Sequence, residues 1–327
     1  MLKSLAAGLA VLCMAAFAAC GSPRAAAPPK VVVTIAPIHS LVAAIAAGVC
    51  EPQLLMPSGS SPHSFALKPS QARALRQADV IVRVGSTLET FLDRPLAALG
   101  KDASVVTLDE IGGIGLLEMR AGGVWEAHGD GREDDGDHRP GGEVGGPDHT
   151  GPDHAGHNPH IWLDPRNAVV AVDYIAGVLA RVDPANAATY RTNARGLVAR
   201  LNALDMELAA ATAPIRAKPY VVFHDAYAYF EDRYGLSPAG AVTVSPDRAP
   251  GARRLGELRR KIITLGAVCV FSEPQFEPRL VAPIIEGTPA RSAVLDPLGA
   301  TLAPGPELYF TLIRNLAAAL ESCLGRS

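Results

Sequence analysis

The chain has 327 residues, of which 48% are apolar and 19% are charged, and its formal net charge is −3. This length and balance fit a globular protein with room for two ordinary domains and a sizeable core. The small negative charge offers no basic surface for nucleic acid or an anionic membrane, so neither is expected as a partner.

The N-terminus is predicted to be an export signal. Lys3 is followed by an apolar run that is too short and too rich in alanine for a comfortable membrane span, and small residues precede Cys20. We expect residues 1–20 to be removed and residues 21–30 to form a flexible tether. Two alternatives stay open. One is an N-terminal anchor helix, and the other is lipid attachment at Cys20, because "FAAC" partly matches a bacterial lipobox.

Export places the protein in an oxidising compartment, where disulfides persist. Three cysteines lie downstream of the signal, Cys50, Cys269 and Cys323, and an odd number leaves one of them over. The sequence has no CxxC pair, which argues against a thiolate zinc knuckle or a redox motif. Spacing alone does not say which two cysteines pair.

Short apolar strands alternate with helices over the first third of the chain. Runs of β-branched residues predict buried strands, and apolar residues at helical spacing predict the helices between them. The predicted strands cover 31–35, 53–56, 79–85 and 104–108, and the predicted helices cover 39–47, 68–78 and 88–99. This alternation predicts a parallel sheet covered by helices on both faces.

The alternation stops at residue 112. From there to residue 159 the chain consists mostly of Gly, Pro, Asp and His, so we predict a disordered segment, called the insert below. Histidine-rich segments bind metal through their composition, and each site in a disordered one should be weak. The candidate loop ligands are His128, His138, His149, His154 and His157. The alternative is a solvated segment without a function.

Order resumes after the insert with two long helical segments and a second β/α alternation. Residues 166–183 are predicted as the linking helix, between a first lobe of residues 31–165 and a second lobe of residues 184–327. The predicted fold class is α/β. It has two lobes, each a mostly parallel sheet flanked by helices, joined by a long helix and facing each other across a ligand cleft.

Four metal-competent side chains lie at predicted strand ends or where the insert becomes ordered. They are His63, His160, His224 and Asp296. Ligands of parallel sheets bind beyond the carboxyl ends of the strands, and three imidazoles with one carboxylate suit tetrahedral Zn²⁺. Four protein ligands favour binding over catalysis, because a catalytic zinc keeps one position for water. Without Asp296, water could take that position and a zinc hydrolase would have to be considered.

Each of these residues also has a purely structural interpretation. A single histidine at a strand end is more often a hydrogen-bonding residue than a ligand, and the "LDP" around Asp296 is a common turn. His39, on the first helix, is interpreted as structural or as a neighbour of the site. Glu273, which ends another strand, is interpreted either as a hydrogen-bond partner of a ligand or as a salt-bridging residue.

Six segments together resemble one known family, although each is weak alone. They read "TIAPIHSLVAAI", "SPHSFALKPSQARALRQADVIVRVG", "NPHIWLDPRNA", "VVFHDAYAYFEDRYGL", "FSEPQFEPRL" and "LDPLGA". In this order they resemble the zinc-specific substrate-binding proteins of bacterial ABC importers, the ZnuA-like group. The resemblance runs from about Val31 to the C-terminus, apart from the insert.

The resemblance implies a periplasmic, monomeric binding protein that is not an enzyme and that delivers zinc to the permease of an ABC importer. It implies two α/β lobes joined by a long rigid helix. One Zn²⁺ would lie in the cleft, bound by His63, His160, His224 and Asp296. The resemblance also implies a disulfide within the second lobe, between Cys269 and Cys323, which would leave Cys50 free.

Two alternatives remain within the resemblance, a manganese or iron binder and a surface adhesin lipoprotein. Family members that select manganese or iron tend to place a carboxylate at the third ligand position, where this chain has His224. An imidazole there favours zinc over ions that prefer oxygen. Some members also have an acidic residue just before the first ligand, and here that position is Pro62. The histidines of the insert are predicted to collect additional zinc with low affinity.

Overall fold

The computed structural model describes residues 27–99, 103–120, 125, 156–243, 252–276 and 282–325. Within these ranges the chain forms two four-stranded parallel sheets, one in each half. The predicted α/β fold class with two lobes is therefore confirmed. None of the helices in the described ranges is both long enough and apolar enough to cross a membrane.

The first lobe is built on a sheet with the strand order β2-β1-β3-β4. Its strands are β1 Val31–Val33, β2 Gln53–Leu54, β3 Val80–Arg83 and β4 Ser104–Thr107, and its crossover helices are α1 Ala36–Ile45, α2 Pro69–Gln77 and α3 Asp93–Leu99. β1 and β3 are buried along their whole length. This is why they read as continuous apolar runs, as central strands of a parallel sheet do when both faces are covered.

The second lobe repeats the same topology, with the strand order β6-β5-β7-β8. Its strands are β5 Tyr220–Val222, β6 Pro238–Ala241, β7 Cys269–Ser272 and β8 Arg291–Val294. Its helices are α6 Ala228–Tyr234, α7 Ala252–Leu265, α8 Ala282–Ile285 and the closing α9 Leu308–Leu324. In both sheets the strand order reverses beside the first strand of the lobe, and ligands of parallel sheets bind at the carboxyl ends near such a point.

Two long helices, α4 Pro165–Val182 and α5 Ala187–Thr212, stand between the sheets in sequence. α4 begins at an Asp164 cap, whose carboxylate accepts the Arg166 N–H at 2.8 Å, and has a proline in its first turn. The 26 residues of α5 make a helix about 39 Å long. α5 packs against α1 of the first lobe and α9 of the second. The limits assigned to the linking helix, 166–183, and to the lobes, 31–165 and 184–327, stay predictions.

The closing helix α9 returns to the first lobe. Its Tyr309 donates its backbone N–H to the Ser40 hydroxyl on α1 at 3.0 Å and its phenol O–H to the Trp162 carbonyl at 2.8 Å. Both aromatic side chains are fully buried. Burying two large aromatic side chains stabilises the junction of the two lobes. Their hydrogen bonds satisfy the polar groups there.

The predicted disulfide is present. Cys269 on β7 is bonded to Cys323 on α9, and Cys50 is free and half-buried. The pairing implied by the family resemblance is therefore confirmed. The bond fixes the C-terminal helix to the second sheet.

The edges of the insert are ordered, which corrects the prediction of disorder over residues 112–159. Residues 112–120 and 156–159 are described, and Glu118 pairs with His157 in an antiparallel bridge. Next to this bridge, Asn158 donates its N–H to the Leu117 carbonyl at 2.7 Å. We call residues 117–119 and 156–158 the neck of the insert. Residues 121–124 and 126–155 lie outside the described residues.

Side chains from elsewhere in the fold fix the neck. The Asn167 amide on α4 accepts the Gly115 N–H at 2.8 Å and donates to the Gly115 carbonyl at 3.0 Å. Arg120 forms ion pairs with Asp225 and Glu231 of the second lobe. The prediction failed here because these partners are remote in sequence, so the low apolar content of the segment does not reveal them.

The disulfide gives a prediction about stability. Because the bond closes a span of 54 residues, the double variant Cys269→Ser/Cys323→Ser should lose about 2–5 kcal/mol of unfolding free energy. Urea unfolding measures the loss. Cys50→Ser is the matched control and should unfold close to wild type. Equal unfolding midpoints for the double variant and the wild type would contradict the prediction.

Candidate metal centre

The structure brings three of the four predicted ligands together. His63 lies in the loop after β2, His160 lies just before the 3₁₀ turn Ile161–Leu163, and His224 follows β5. The Nε2 atom of His160 is 3.4 Å from His63 Nε2 and 3.2 Å from His224 Nε2. All three ligand atoms lie within 4.8 Å of one another.

These spacings fit a tetrahedral metal ion. For zinc bound to imidazole nitrogens at about 2.0–2.1 Å, a regular tetrahedron separates neighbouring ligand atoms by about 3.3–3.4 Å. The two Nε2–Nε2 distances, 3.2 and 3.4 Å, lie within or close to this range. His160 Nε2 is therefore spaced from its two neighbours as ligand atoms are around a tetrahedral zinc.

His160 is oriented by Asn158, a residue that the sequence analysis missed. The imidazole Nδ1–H donates to Asn158 Oδ1 at 2.9 Å, which leaves Nε2 as the free lone pair. Asn158 is itself buried, and its amide donates to the Asp225 carbonyl at 2.6 Å. The only sequence signal for this role is the position of Asn158, two residues before a candidate ligand.

His224 is oriented by a carboxylate. Its Nδ1–H donates to Glu273 Oε1 at 2.7 Å, and both side chains are almost completely buried. Carboxylate–histidine pairs of this kind fix the tautomer and make the other ring nitrogen a better metal ligand. Of the two interpretations of Glu273, the structure therefore shows the hydrogen-bond partner of a candidate ligand.

The pocket keeps two of the imidazoles neutral. Burial, assisted by the neighbouring His224, lowers the pKa of His63 to about 3. Burial, together with the neighbouring imidazoles of His224 and His63, lowers the pKa of His160 well below its usual value. Metal binding requires neutral imidazole, so these two ligands bind metal without first losing a proton at neutral pH.

Asp296 does not lie within the group of three histidines, so its place as the fourth ligand stays a prediction. Its Oδ1 accepts the backbone N–H groups of Leu298 and Gly299 at 3.1 and 2.9 Å, and its Oδ2 accepts that of Ala300 at 2.6 Å. The carboxylate therefore closes the turn after β8, as the "LDP" motif indicates. Among the described residues, no cysteine or carboxylate lies close enough to all three imidazoles to join them.

The three imidazoles line a small pocket of about 10 Å³ between the carboxyl ends of the two sheets. Its other walls are largely apolar and are formed by Pro62, Trp162, Phe276, Pro297 and Leu298. Glu273 and Gln275 also contribute to the lining. Electrostatic interactions with a bound cation are stronger in such surroundings than in water.

The remaining histidines lie elsewhere or outside the described residues. His157, predicted as a flexible loop ligand, is fixed in the neck with its Nε2 3.1 Å from Asp109 Oδ2. This part of the prediction is corrected, because the neck pairs with the ordered core. His39 is buried on α1 with its Nε2 2.8 Å from the Pro52 carbonyl, as the structural interpretation expects. The other loop histidines, His128, His138, His149 and His154, are not among the described residues.

Known zinc-uptake proteins are similar to this chain over most of its length. The family model "ZnuA: Zinc-uptake complex component A periplasmic" matches residues 31–323. The "High-affinity zinc uptake system protein ZnuA" of Brucella suis biovar 1 is 47% identical over 317 residues, which is 94% of this chain and 95% of that protein. The protein of the same name from Yersinia pestis is 34% identical and covers 93% of each chain.

Solved structures show the same fold. The "Crystal structure of ZnuA" superposes with a TM-score of 0.71 at 25% identity, covering 91% of this chain and 99% of that chain. The "Periplasmic zinc binding protein TroA" of Treponema pallidum superposes with a TM-score of 0.72 at 20% identity, covering 91% of this chain and 99% of that one. At 20% identity, the similarity to the Treponema pallidum protein shows a shared fold and nothing more.

The lowered pKa of His63 predicts how the stability of the metal-free protein depends on pH. In the unfolded chain this imidazole takes up a proton near pH 6.5, whereas in the folded protein it does so only near pH 3. Folding stability should therefore fall as the pH drops below 6.5, by about 2 kcal/mol at pH 5 from this group alone.

Urea unfolding of the metal-free protein at pH 7.5 and pH 5 measures this effect. His63→Ala lacks the titrating group and should lose about 2 kcal/mol less than the wild type between the two pH values. Equal losses in the two proteins would contradict the pKa assigned to His63.

Proposed function

Because this chain belongs to the ZnuA family of periplasmic zinc-uptake components, we propose that it captures one Zn²⁺ between His63, His160 and His224 and passes the ion to the permease of an ABC importer. The observation that supports this proposal most directly is the spacing of the three Nε2 atoms, at 3.2 and 3.4 Å from His160 to its two neighbours. High-affinity zinc uptake is the activity that the names of its relatives state.

The ligand chemistry favours zinc over manganese or iron. Imidazole nitrogens bind zinc well, whereas Mn²⁺ prefers carboxylate, carbonyl and water oxygens. The group of three contains only imidazoles, and the nearby Asp296 is engaged with the backbone of its own turn. Family members that select manganese or iron tend to place a carboxylate at the third ligand position, where this chain has His224.

The site is better suited to capture than to catalysis. Three imidazoles with one open position also occur in zinc hydrolases, which need a base to activate the bound water. Glu273 is the carboxylate in the lining, but its Oε1 is bonded to Nδ1 of His224, on the side of that ring away from the Nε2 group. We therefore propose that the protein is a transport component with no catalytic activity.

Three protein ligands also suit transfer of the ion. A fourth coordination position can accept a ligand from the permease before the imidazoles dissociate, so that the zinc is never without partners. Such an exchange allows the zinc ion to leave a site whose three nitrogens are already arranged for tight binding.

The remaining features of the proposal depend on the sequence. Residues 1–20 act as the export signal, residues 21–30 form a tether, and the mature protein is a periplasmic monomer. Lipid attachment at Cys20 would anchor the tether to a membrane. All of these residues except 27–30 lie outside the described part of the chain.

We also propose that the insert binds additional zinc weakly and raises its concentration near the pocket. His128, His138, His149 and His154 supply the imidazoles, and the neighbouring Asp residues add carboxylates. The neck ends at Asn158, two residues before His160, so the ordered end of the insert lies beside the candidate site.

Replacing single ligands tests the tight site. His63→Ala, His160→Ala and His224→Ala should each weaken zinc binding by more than about 100-fold, because each removes one of three direct ligands. Competition with a chromophoric chelator measures the dissociation constant. His157→Ala, outside the group of three, is the control and should keep the tight site. Unchanged affinity in all three ligand variants would refute the assignment.

Replacing residues 127–155 with a short glycine linker tests the role of the insert. The shortened protein should lose the weak zinc sites and keep one tight site, because His160 is oriented by Asn158, which lies outside the replaced residues. Isothermal titration calorimetry measures both classes. A full-length variant with the four histidines outside the neck changed to alanine removes the imidazoles and keeps the length of the chain. Comparing it with the shortened protein shows which of the two changes abolishes the weak sites. Loss of the tight site in either protein would contradict this division.

A further inference from the structure

The wall of the pocket contains a buried polar atom that the three-histidine site does not use. Gln275 lies in the loop after β7 and lines the pocket. Its Oε1 is buried and accepts no hydrogen bond from any described residue. Buried acceptors are almost always satisfied in folded proteins, so an unsatisfied one beside a binding pocket indicates a missing partner from the ligand side.

The orientation of the Gln275 amide is determined by Asp296. Gln275 Nε2 donates to Asp296 Oδ1 at 2.9 Å, and the same carboxylate accepts three backbone N–H groups. A carboxylate with these partners accepts hydrogen bonds only, so the reversed amide would set two acceptors against each other. Gln275 lines the pocket and Asp296 does not, so Asp296 holds the amide from behind.

A second unsatisfied acceptor, Glu273 Oε2, is a weaker candidate for the same partner. The other oxygen of this carboxylate is 2.7 Å from His224 Nδ1. Nδ1 and Nε2 lie on different sides of the imidazole ring, so the Glu273 carboxylate lies behind His224 and not among the Nε2 atoms. Gln275 Oε1 therefore remains as the acceptor available to the bound ion's shell.

We propose that Gln275 is a positioning residue for zinc, and that its Oε1 accepts a hydrogen bond from a water molecule in the fourth coordination position of the ion. This inference rests on the proposed function of the site. Zinc completes a tetrahedron with water when only three protein ligands are present. Such a water donates hydrogen bonds and so supplies the partner that Gln275 Oε1 lacks.

The same inference explains why Asp296 is near the site without being a ligand. It acts through Gln275, whose amide it orients, and through the turn after β8, whose backbone it binds. Interactions that orient the groups around a metal typically affect its affinity by about 10–100-fold. Gln275 should belong to this class.

Two substitutions separate the acceptor role from a structural one. Gln275→Met removes the acceptor at similar length and should weaken zinc binding by about tenfold or more. Gln275→Glu keeps an oxygen acceptor in the pocket but loses the donation to Asp296 Oδ1, so it should bind zinc less tightly than wild type and more tightly than Gln275→Met. Gln77→Met, at an exposed position on α2, is the control. Wild-type affinity in Gln275→Met, or an equal loss in Gln275→Glu, would overturn the inference.

A crystal structure of the zinc-loaded wild type tests the geometry directly. An oxygen atom should lie about 2.0–2.2 Å from zinc and within about 3.2 Å of Gln275 Oε1. Direct coordination by Gln275 or Asp296 would overturn the inference. If the wild type bound no zinc tightly, the proposed function itself would fail. Tight binding without these effects would leave the function standing and refute the role of Gln275.

Discussion

The structure depends on holding three imidazoles with their ligand nitrogens close together. Nε2 atoms 3.2 and 3.4 Å apart repel one another unless a cation lies between them. Two parallel sheets of the same strand order bring their carboxyl ends to the pocket, and Asn158 and Glu273 fix two rings from the opposite side. The fold therefore holds the three rings together, and a bound cation would relieve the repulsion.

The ligands are connected to the fold in two groups. His160 is tied through Asn158 to the carbonyl of Asp225, the residue next to His224. His63 comes from the first sheet by its own loop and has no such connection. His160 and His224 are therefore linked through Asn158 and Asp225, whereas His63 reaches the group on a separate loop.

Much of this could be predicted from sequence, for identifiable physical reasons. Buried parallel strands read as β-branched runs, and strand ends gather ligands, so the fold class and the grouping of His63, His160 and His224 followed from local patterns. The role of Asp296 could not be decided from sequence, because a carboxylate after a strand suits a metal and a turn equally well. In the structure it accepts backbone N–H groups of its own turn. Asn158 and the neck were missed because their partners, Asp225 and Asn167, are distant in sequence.

The antiparallel bridge between Glu118 and His157 has a consequence for how this protein can diverge. Because the two ends of the insert are joined to each other and to the core, its length is independent of the position of His160. The entropy of closing a longer loop grows only slowly, by about 0.6 kcal/mol for each doubling. Mutation can therefore lengthen, shorten or recompose this segment at little thermodynamic cost. The neck therefore allows the insert to change in length and composition without moving His160.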